Sequence, residues 1–261
     1  MIKLIASDID GTLVADGESR LNPEYYDVIL ALRKKGIQFA AASGRQWASI
    51  EQLFEPIKEK IFYLSDNGSY VGCHGRNLFI HPIERSLAEQ LILDMRATEG
   101  IEIVVNGPDY CYVETQNEEL IDWMVNGYKF RVKRVDDLTK IGDQITKISA
   151  YKDHGVQEAA GPIKDQYESR LKIAMAGEMW MDCVAQGVNK GEAIRTLQES
   201  LNILPEETMA FGDQLNDIEM LGQAYYSFAI GNARDEVKKA ARFQADTNVN
   251  DGVLKILKTL L

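Results

Sequence analysis

The first dozen residues constrain the fold more than any other stretch. Residues 2–6, apolar except for Lys3, form a run of strand length. Two carboxylates one residue apart, Asp8 and Asp10, follow this run and are themselves followed by Gly-Thr. In an open parallel sheet, ligands bind beyond the carboxyl ends of the strands, so this strand would deliver both acids to a functional edge. Alternation along an extended chain would point both side chains to the same side. The alternative is an ordinary acidic turn, since Asp-Gly is a common turn dipeptide.

The composition predicts a globular protein that acts on small molecules. With 261 residues and 45% hydrophobic residues, the chain can bury a sizeable core in one large or two modest domains. The net charge of −11 argues against nucleic acid or an anionic membrane surface as the main partner. No stretch approaches the roughly 18 apolar residues of a membrane span, and the apolar start is too short for a signal peptide. We therefore expect a cytoplasmic protein.

Cysteines and histidines do not predict a metal or catalytic site. The three cysteines are odd in number and widely spaced, which favours buried thiols over disulfides. The three histidines are equally scattered, so neither a zinc site nor a Ser-His-Asp triad can be assembled.

Strand and helix signals alternate through the first 81 residues. Asn22-Pro23-Glu24 predicts a helix start, with Asn as the N-cap and Pro in the first turn. The polar residues 14–21 predict a flap beside the acids. The other predicted elements are the end of that helix at Gly36, strands at 37–42 and 61–65, a helix at 46–54, and a hairpin at 70–71 and 78–81. This alternation is the βαβ pattern of a parallel sheet.

Residues 82–185 have a different pattern, which predicts a separate α+β domain inserted in the first. Short neighbouring strands joined by tight turns indicate antiparallel pairing. The predicted strands are 101–106, 110–115, 145–151, 171–176 and 180–184, and the predicted helices are 84–98, 118–125 and a segment interrupted near Gly161-Pro162. The domains expected are therefore 1–81 with 186–261, and 82–185.

Parallel-type sequence resumes after residue 186. Lys190 stands at the start of a helix, where the macrodipole disfavours a cation; a nearby anion would explain it, and a solvated lysine is the alternative. A strand at 208–211 ends in Gly212 and Asp213 and opens a helix near Asp217. The last predicted elements are a strand at 227–230 and helices at 236–241 and 253–260.

The predicted strand ends and one helix start place carboxylates, a hydroxyl and an ammonium on one rim. They are Asp8, Asp10, Ser43, Asp213, Asp217 and Lys190. Ser43-Gly44 also offers backbone N–H groups to an anion, although an ordinary helix N-cap is the alternative. Oxygen ligands without His or Cys select a hard cation, and a small one that binds phosphate would be Mg²⁺.

This set of groups suits phosphoryl transfer. A carboxylate nucleophile would form an aspartyl-phosphate and split one difficult displacement into two easier ones. Mg²⁺ and Lys190 would neutralise the phosphoryl oxygens. The second acid, two residues on, could protonate the leaving oxygen and later deprotonate a water.

Four motifs resemble, in order and spacing, those of the haloacid dehalogenase superfamily of phosphatases. They are Asp8-Ile9-Asp10-Gly11-Thr12, Ser43-Gly44-Arg45, Asn189-Lys190-Gly191 and Gly212-Asp213-Gln214-Leu215-Asn216-Asp217. Further matches look like the Cof-type branch; they are Asn67-Gly68, Met220-Leu221, Gly231-Asn232-Ala233 and Asp251-Gly252-Val253. The resemblance covers nearly the whole chain and implies an α/β fold: a Rossmann-like parallel-sheet core with an inserted α+β cap domain.

The resemblance also implies roles for individual residues. Asp8 would be the nucleophile and a Mg²⁺ ligand, and Asp10 the general acid/base that binds Mg²⁺ through its backbone carbonyl. Asp213 would complete the protein ligands to the metal. The phosphoryl group would be held by Ser43, Gly44, Lys190 and Asn216, while Asp217 would orient Lys190 or a metal-bound water.

We therefore expect a Mg²⁺-dependent phosphatase for a small phosphorylated metabolite, with a sugar phosphate first and a nucleotide or phosphorylated cofactor second. Substrate choice would lie with the cap, but the sequence does not show which cap residues lie over the site and select the substrate. A phosphomutase or phosphotransferase, or a non-catalytic sensor of a phosphorylated metabolite, remains open. The resemblance is compatible with a monomer or a small homo-oligomer.

Overall fold

The computed structural model describes residues 1–15, 20–73, 76–176 and 178–261, without the side chain of Ala176. Half of the predicted flap at 14–21, residues 16–19, and one histidine, His74, lie outside the described residues. The described chain falls into two units, Met1–Phe79 with Asn189–Leu261, and Ile80–Val188. None of its helices is long and apolar enough to cross a membrane.

The strands are numbered in chain order within the described residues. They are β1 (Leu4–Ser7), β2 (Gln38–Ala42), β3 (Phe62–Ser65), β4 (Tyr70–Cys73), β5 (Arg76–Ile80), β6 (Glu102–Asn106), β7 (Cys111–Val113), β8 (Val132–Arg134), β9 (Lys147–Tyr151), β10 (Leu171–Ala176), β11 (Trp180–Ala185), β12 (Thr208–Gly212), β13 (Tyr226–Ala229) and β14 (Phe243–Gln244).

The α-helices are numbered in the same way. They are α1 (Glu24–Lys34), α2 (Trp47–Leu53), α3 (Arg85–Arg96), α4 (Glu118–Asp122), α5 (Val156–Tyr167), α6 (Lys190–Leu201), α7 (Ile218–Gly222), α8 (Asp235–Ala240) and α9 (Gly252–Lys258). Short 3₁₀ turns join several of them, including Leu215–Asp217 directly before α7.

The first unit is built on an eight-stranded sheet with the order β14-β13-β12-β1-β2-β3-β4-β5. The pairs from β14 to β3 are parallel, and β4 runs antiparallel to β3. Strand β1 is buried at every position because both faces of the sheet are covered. Ile5 packs in one hydrophobic cluster, whereas Leu4 and Ala6 pack in a second one. The α/β fold class expected from the sequence is confirmed.

The register of β1 with its two neighbours aligns three strand ends. Ser7, the last residue of β1, lies opposite Phe211 of β12 and Ala41 of β2. All three strands run in the same direction, so the residues that follow them emerge at one edge of the sheet. This edge therefore receives the polar residues that the sequence places after each strand.

The second unit contains a six-stranded sheet with the order β10-β11-β9-β6-β7-β8. Its pairs are antiparallel apart from β7 with β8. Helices α3 and α5 pack on one face through a single hydrophobic cluster. The other face packs, at one end, against α4 and the π-helical turn that follows it.

Some local predictions were wrong. The helix expected to break near Pro162 is continuous in α5, because Val156, Ala160 and Ile163 anchor it on the sheet. A proline removes one backbone hydrogen bond, and packing of the buried face outweighs that loss. The edge strands β8 and β14 were not predicted, because their sequences do not alternate between apolar and polar residues. The three cysteines are buried free thiols, as expected.

Candidate active site

The candidate site lies at the carboxyl edge of the parallel strands. Asp8 follows β1, Ser43 follows β2 and Asp213 follows β12, while Lys190 is the first residue of α6. The Asp8 backbone N–H donates to the carbonyl of Phe211, which continues the β1–β12 ladder to the edge itself. The acids are thereby placed by rigid strands rather than by loops.

Lys190 is the centre of the charged group. Its Nζ donates to Asp8 Oδ1 at 2.5 Å and to Asp217 Oδ1 at 2.7 Å. Lys190 is 1% exposed, so it is not the solvated lysine of the alternative interpretation. Burial would lower the pKa of Lys190, but the carboxylates of Asp217 and Asp8 outweigh burial and raise it above its usual value. The anions that offset the helix dipole are therefore these two carboxylates.

The carboxylates of Asp213 and Asp217 are held by neighbouring donors. Asp217 Oδ2 accepts from the backbone N–H groups of Asp213 at 2.9 Å and Gln214 at 3.0 Å. Asp213 Oδ1 accepts from Thr12 Oγ1 at 2.7 Å, and Asp213 Oδ2 accepts from the side chain of Gln214 at 2.9 Å. Satisfied hydrogen bonds make the burial of these charges tolerable and fix their directions.

Two glycines allow the carboxylates to approach the backbone. Gly11 has φ of +81°, and a Cβ there would lie 2.3 Å from Asp213 Oδ2. A Cβ at Gly212 would lie 2.4 Å from the Cβ of Asp217. Any side chain at either position would displace an acid of the site, so both glycines are required by close approach.

The described residues contain one group of side chains that could hold a metal ion. Carboxylate oxygens of Asp8, Asp213 and Asp217 lie within 4.8 Å of one another. Burial and the charge of Asp217 raise the pKa of Asp8 well above its usual value, against the opposing effect of Lys190. Burial also raises the pKa of Asp213. Three buried carboxyl groups thus lie beside one ammonium, and this set of oxygen ligands fits a hard divalent cation.

The Asp10 carboxylate has a different partner. Arg45 donates from Nε to Asp10 Oδ2 at 2.9 Å and from a terminal nitrogen to Oδ1 at 2.5 Å. The structure therefore separates the two acids of the first motif: Asp8 bonds to the buried lysine, and Asp10 forms a two-point pair with an arginine.

A strained turn supports the loop after β2. Asp66, Asn67 and Gly68 have successive positive φ values of 48°, 57° and 99°. The Asn67 N–H donates to the Ser43 carbonyl at 3.0 Å, and the Asn67 side chain accepts from Asn216 at 2.9 Å. Strain of this kind persists where surrounding contacts enforce it, often at functional sites.

The structure thus brings Asp8, Asp213, Asp217 and Lys190 together. Asp10 and Ser43 instead meet at Arg45, and Asn216 reaches Asn67. Sequence reasoning assigned no role to the side chains that bond to the acids, which are Thr12, Arg45 and Gln214, or to Asn67, which bonds to Asn216. A signal was present, because each lies inside a quoted motif and buried carboxylates require donors close by.

Comparisons with known proteins agree on one family. The family model for haloacid dehalogenase-like hydrolases matches residues 5–257. The chain is 27% identical over 261 residues to the 5-amino-6-(5-phospho-D-ribitylamino)uracil phosphatase YbjI of Escherichia coli, covering 100% of this chain and 96% of that protein. It is 25% identical over 240 residues to an HMP-PP phosphatase of Klebsiella pneumoniae, covering 91% and 87%.

A solved structure from Eubacterium rectale has the same fold. It superposes with a TM-score of 0.93 at 37% sequence identity, covering 100% of this chain and 99% of that one.

Proposed function

The chain belongs to the haloacid dehalogenase-like hydrolases and is a phosphatase of that family. We propose that it hydrolyses a small phosphorylated metabolite, that it uses Mg²⁺, and that the reaction passes through an aspartyl-phosphate. A sugar phosphate or sugar-alcohol phosphate is the first candidate substrate. The ribityl phosphate in the name of the Escherichia coli relative supports this choice. A nucleotide or phosphorylated cofactor is the second candidate, which the HMP-PP phosphatase supports.

One observation carries the proposal. A buried lysine is bonded to Asp8 and Asp217, with Asp213 beside them, at the ends of parallel strands. An anion-binding ammonium next to a nucleophilic carboxylate suits a reaction whose main demand is charge neutralisation. A structural ion pair matches one carboxyl group with one ammonium, whereas here three carboxyl groups lie beside one ammonium.

The metal would be held by Asp8, Asp213 and the backbone carbonyl of Asp10. When bound, Mg²⁺ supplies neutralisation of the phosphoryl oxygens and of the excess carboxylate charge. Ser43, Gly44, Lys190 and Asn216 would bind the phosphoryl group, and Asp217 would hold Lys190 in place.

The reaction proceeds in two displacements. A carboxylate oxygen of Asp8 attacks phosphorus, the ester P–O bond breaks, and the leaving oxygen takes a proton from Asp10. Water then attacks the phosphorus of the aspartyl-phosphate and passes a proton to Asp10, while the bond to the Asp8 oxygen breaks. The products are the alcohol and inorganic phosphate, and both acids return to their starting states.

The inserted domain, residues 82–185, is proposed as the cap that selects the substrate, with 1–81 and 186–261 forming the catalytic core. Closure of such a domain would exclude water from the reacting groups. The cap would then distinguish substrates by the part of the molecule that carries no phosphate.

Phosphate release from a panel of esters tests the proposal. The panel holds sugar and sugar-alcohol phosphates, nucleotides and phosphorylated cofactors, with Mg²⁺ or chelator, and with wild-type protein or Asp8→Asn. We expect Mg²⁺-dependent release that the variant lacks. Transfer of phosphate to an added sugar in place of water would indicate a phosphotransferase. Binding without turnover by folded wild-type protein would contradict an enzymatic role.

A further inference from the structure

Arg45 makes a geometrically specific contact with the proposed acid/base. Two of its nitrogens bond to the two different oxygens of Asp10, at 2.9 Å and 2.5 Å. The arginine side chain is 14% exposed and the Asp10 side chain is 34% exposed, so the pair is partly shielded from water. A two-point pair fixes the plane of the carboxylate, which a single hydrogen bond leaves free to rotate.

The backbone of Arg45 is itself anchored. Its N–H donates to Ser43 Oγ at 3.0 Å, and its carbonyl accepts from the N–H of Asp66 at 3.0 Å. Asp66 belongs to the strained turn with positive φ values. The backbone that carries the guanidinium is therefore held by hydrogen bonds on both sides. The fold fixes the position of Arg45 relative to the strand ends.

We propose that Arg45 is a positioning residue that orients the Asp10 carboxyl group for proton transfer to and from the reacting oxygens. The inference rests on the proposed function, because it concerns the acid/base of that same reaction. The pair uses one lone pair on each carboxylate oxygen and leaves a second on each for the proton. Proton transfer can thus occur without breaking the contact.

The same contact assists the bond-breaking step. As the ester P–O bond breaks, its electron pair moves to the leaving oxygen, which takes the Asp10 proton and departs as the alcohol. Asp10 becomes a carboxylate, so both partners of its bonds to Arg45 are then charged, which strengthens these bonds. In the second displacement, Asp10 accepts the proton of the attacking water. Arg45 thereby stabilises the form of Asp10 that the first displacement generates.

Leaving-group dependence distinguishes this role from direct phosphate binding. An alkyl phosphate needs a proton on its leaving oxygen, whereas 4-nitrophenyl phosphate releases a stable anion and depends little on an acid. The ratio kcat/KM reports the steps up to departure of the leaving group. Arg45→Met is expected to lower kcat/KM by roughly 10²-fold for an alkyl phosphate and by less than about tenfold for 4-nitrophenyl phosphate.

Two further variants complete the series. Arg45→Lys keeps the charge with one contact point and is expected to recover only part of the alkyl phosphate activity. Arg33→Met is the matched control, because Arg33 lies in the same unit, is half-buried and bonds to Gln38 and the Lys60 carbonyl. The control is expected to match wild type on both esters.

A double-mutant cycle with Asp10→Asn tests the pathway of the effect. If Arg45 acts through Asp10, adding Arg45→Met to Asp10→Asn lowers the residual alkyl phosphate rate by less than about threefold. An equal loss on both esters, or full additivity in the cycle, would overturn the inference while the phosphatase assignment stood. A wild-type protein that hydrolyses neither these esters nor any in the panel would remove both.

If Arg45→Met does not fold, the Arg45→Lys comparison across the two esters decides the question. A lysine variant that loses both activities equally contradicts a positioning role.

Discussion

The two units each contain a buried lysine paired with aspartate, and the two settings differ. Lys190 faces Asp8 and Asp217, with Asp213 nearby, so carboxylates outnumber ammonium groups. Lys147, also buried, lies 3.4 Å from Asp182, whose other oxygen accepts from Ser149 at 2.6 Å. Lys190 belongs to a group in which carboxylates outnumber ammonium groups, called the unbalanced group below, whereas Lys147 pairs with Asp182 across two strands.

The secondary structure explains the difference. Lys147 and Ser149 are two residues apart and therefore lie on the same face of β9. Asp182 lies opposite Ser149 on the antiparallel strand β11. Cross-strand pairing of this kind matches one charge with one charge. Parallel strand ends instead collect side chains from several elements at one edge, where like charges accumulate. A cross-strand pair stabilises the fold, whereas a group in which carboxylates outnumber ammonium groups can bind a cation.

The largest effect is expected from Asp8→Asn. The variant should lose turnover, because an amide cannot form the aspartyl-phosphate, while its thermal midpoint in chelator should not fall below that of wild type. Burial and the charge of Asp217 raise the pKa of Asp8, so a neutral amide at this position removes an unfavourable buried charge. Phosphate release and thermal unfolding measure the two quantities. Normal turnover in this variant would remove Asp8 from the nucleophile role.

The next effect in size is that of Lys190→Ala on activity. Loss of a charge that neutralises phosphoryl oxygens in a buried site should lower kcat by about 10²–10³-fold, or about 3–4 kcal/mol. Circular dichroism in Mg²⁺ checks that the variant is folded. A folded variant with near wild-type kcat would show that Lys190 only balances carboxylates, as Lys147 does.

Metal removal should affect the unbalanced group alone. At Mg²⁺ concentrations of about 100 times the dissociation constant, binding should stabilise the wild-type protein by about 2.7 kcal/mol relative to chelator. Asp213→Asn should abolish this difference, whereas Asp182→Asn should preserve it. Denaturant unfolding with and without Mg²⁺ provides the measurement, and an unchanged midpoint in wild type would argue against a cation at the site.

Mutation of the Lys147–Asp182 pair should change the stability of the fold. Lys147→Met should lower the free energy of unfolding by about 2 kcal/mol, less than for a fully buried pair because the Asp182 side chain is 18% exposed. Adding Asp182→Asn should recover part of the loss, since the Asp182 charge that the first substitution leaves without Lys147 is then removed. No recovery in the double variant would show that the two residues are not energetically coupled.

The smallest effect is expected on the outer side of α6. Arg195 forms exposed ion pairs with Glu192 and Glu199, only one and a half turns from Lys190. Such pairs are screened by water, so Arg195→Ala should leave kcat and the unfolding midpoint unchanged within error. A marked loss of kcat or of the unfolding midpoint would show that the exposed ion pairs of Arg195 matter as the buried ones of Lys190 do.

Much of the fold was predictable from local patterns. Apolar runs that end in polar residues predicted β1, β2 and β12, and the residues after them are those at the site edge. The continuous α5 was not predicted, because packing on the sheet outweighed the local signal of Pro162. The edge strand β8 was missed for the related reason that it forms by pairing with β7 and not by its own pattern.

The sequence by itself determined the alternation of strands and helices and the position of each acid at a strand end, because neighbouring residues encode these features. Only the tertiary structure decided which side chains meet. Lys190 and Asp8 are 182 residues apart, Thr12 and Asp213 are 201 apart, and Arg45 and Asp10 are 35 apart. These pairs depend on strand order and register, which arise from the packing of the whole sheet and are not encoded in the spacing of any one motif.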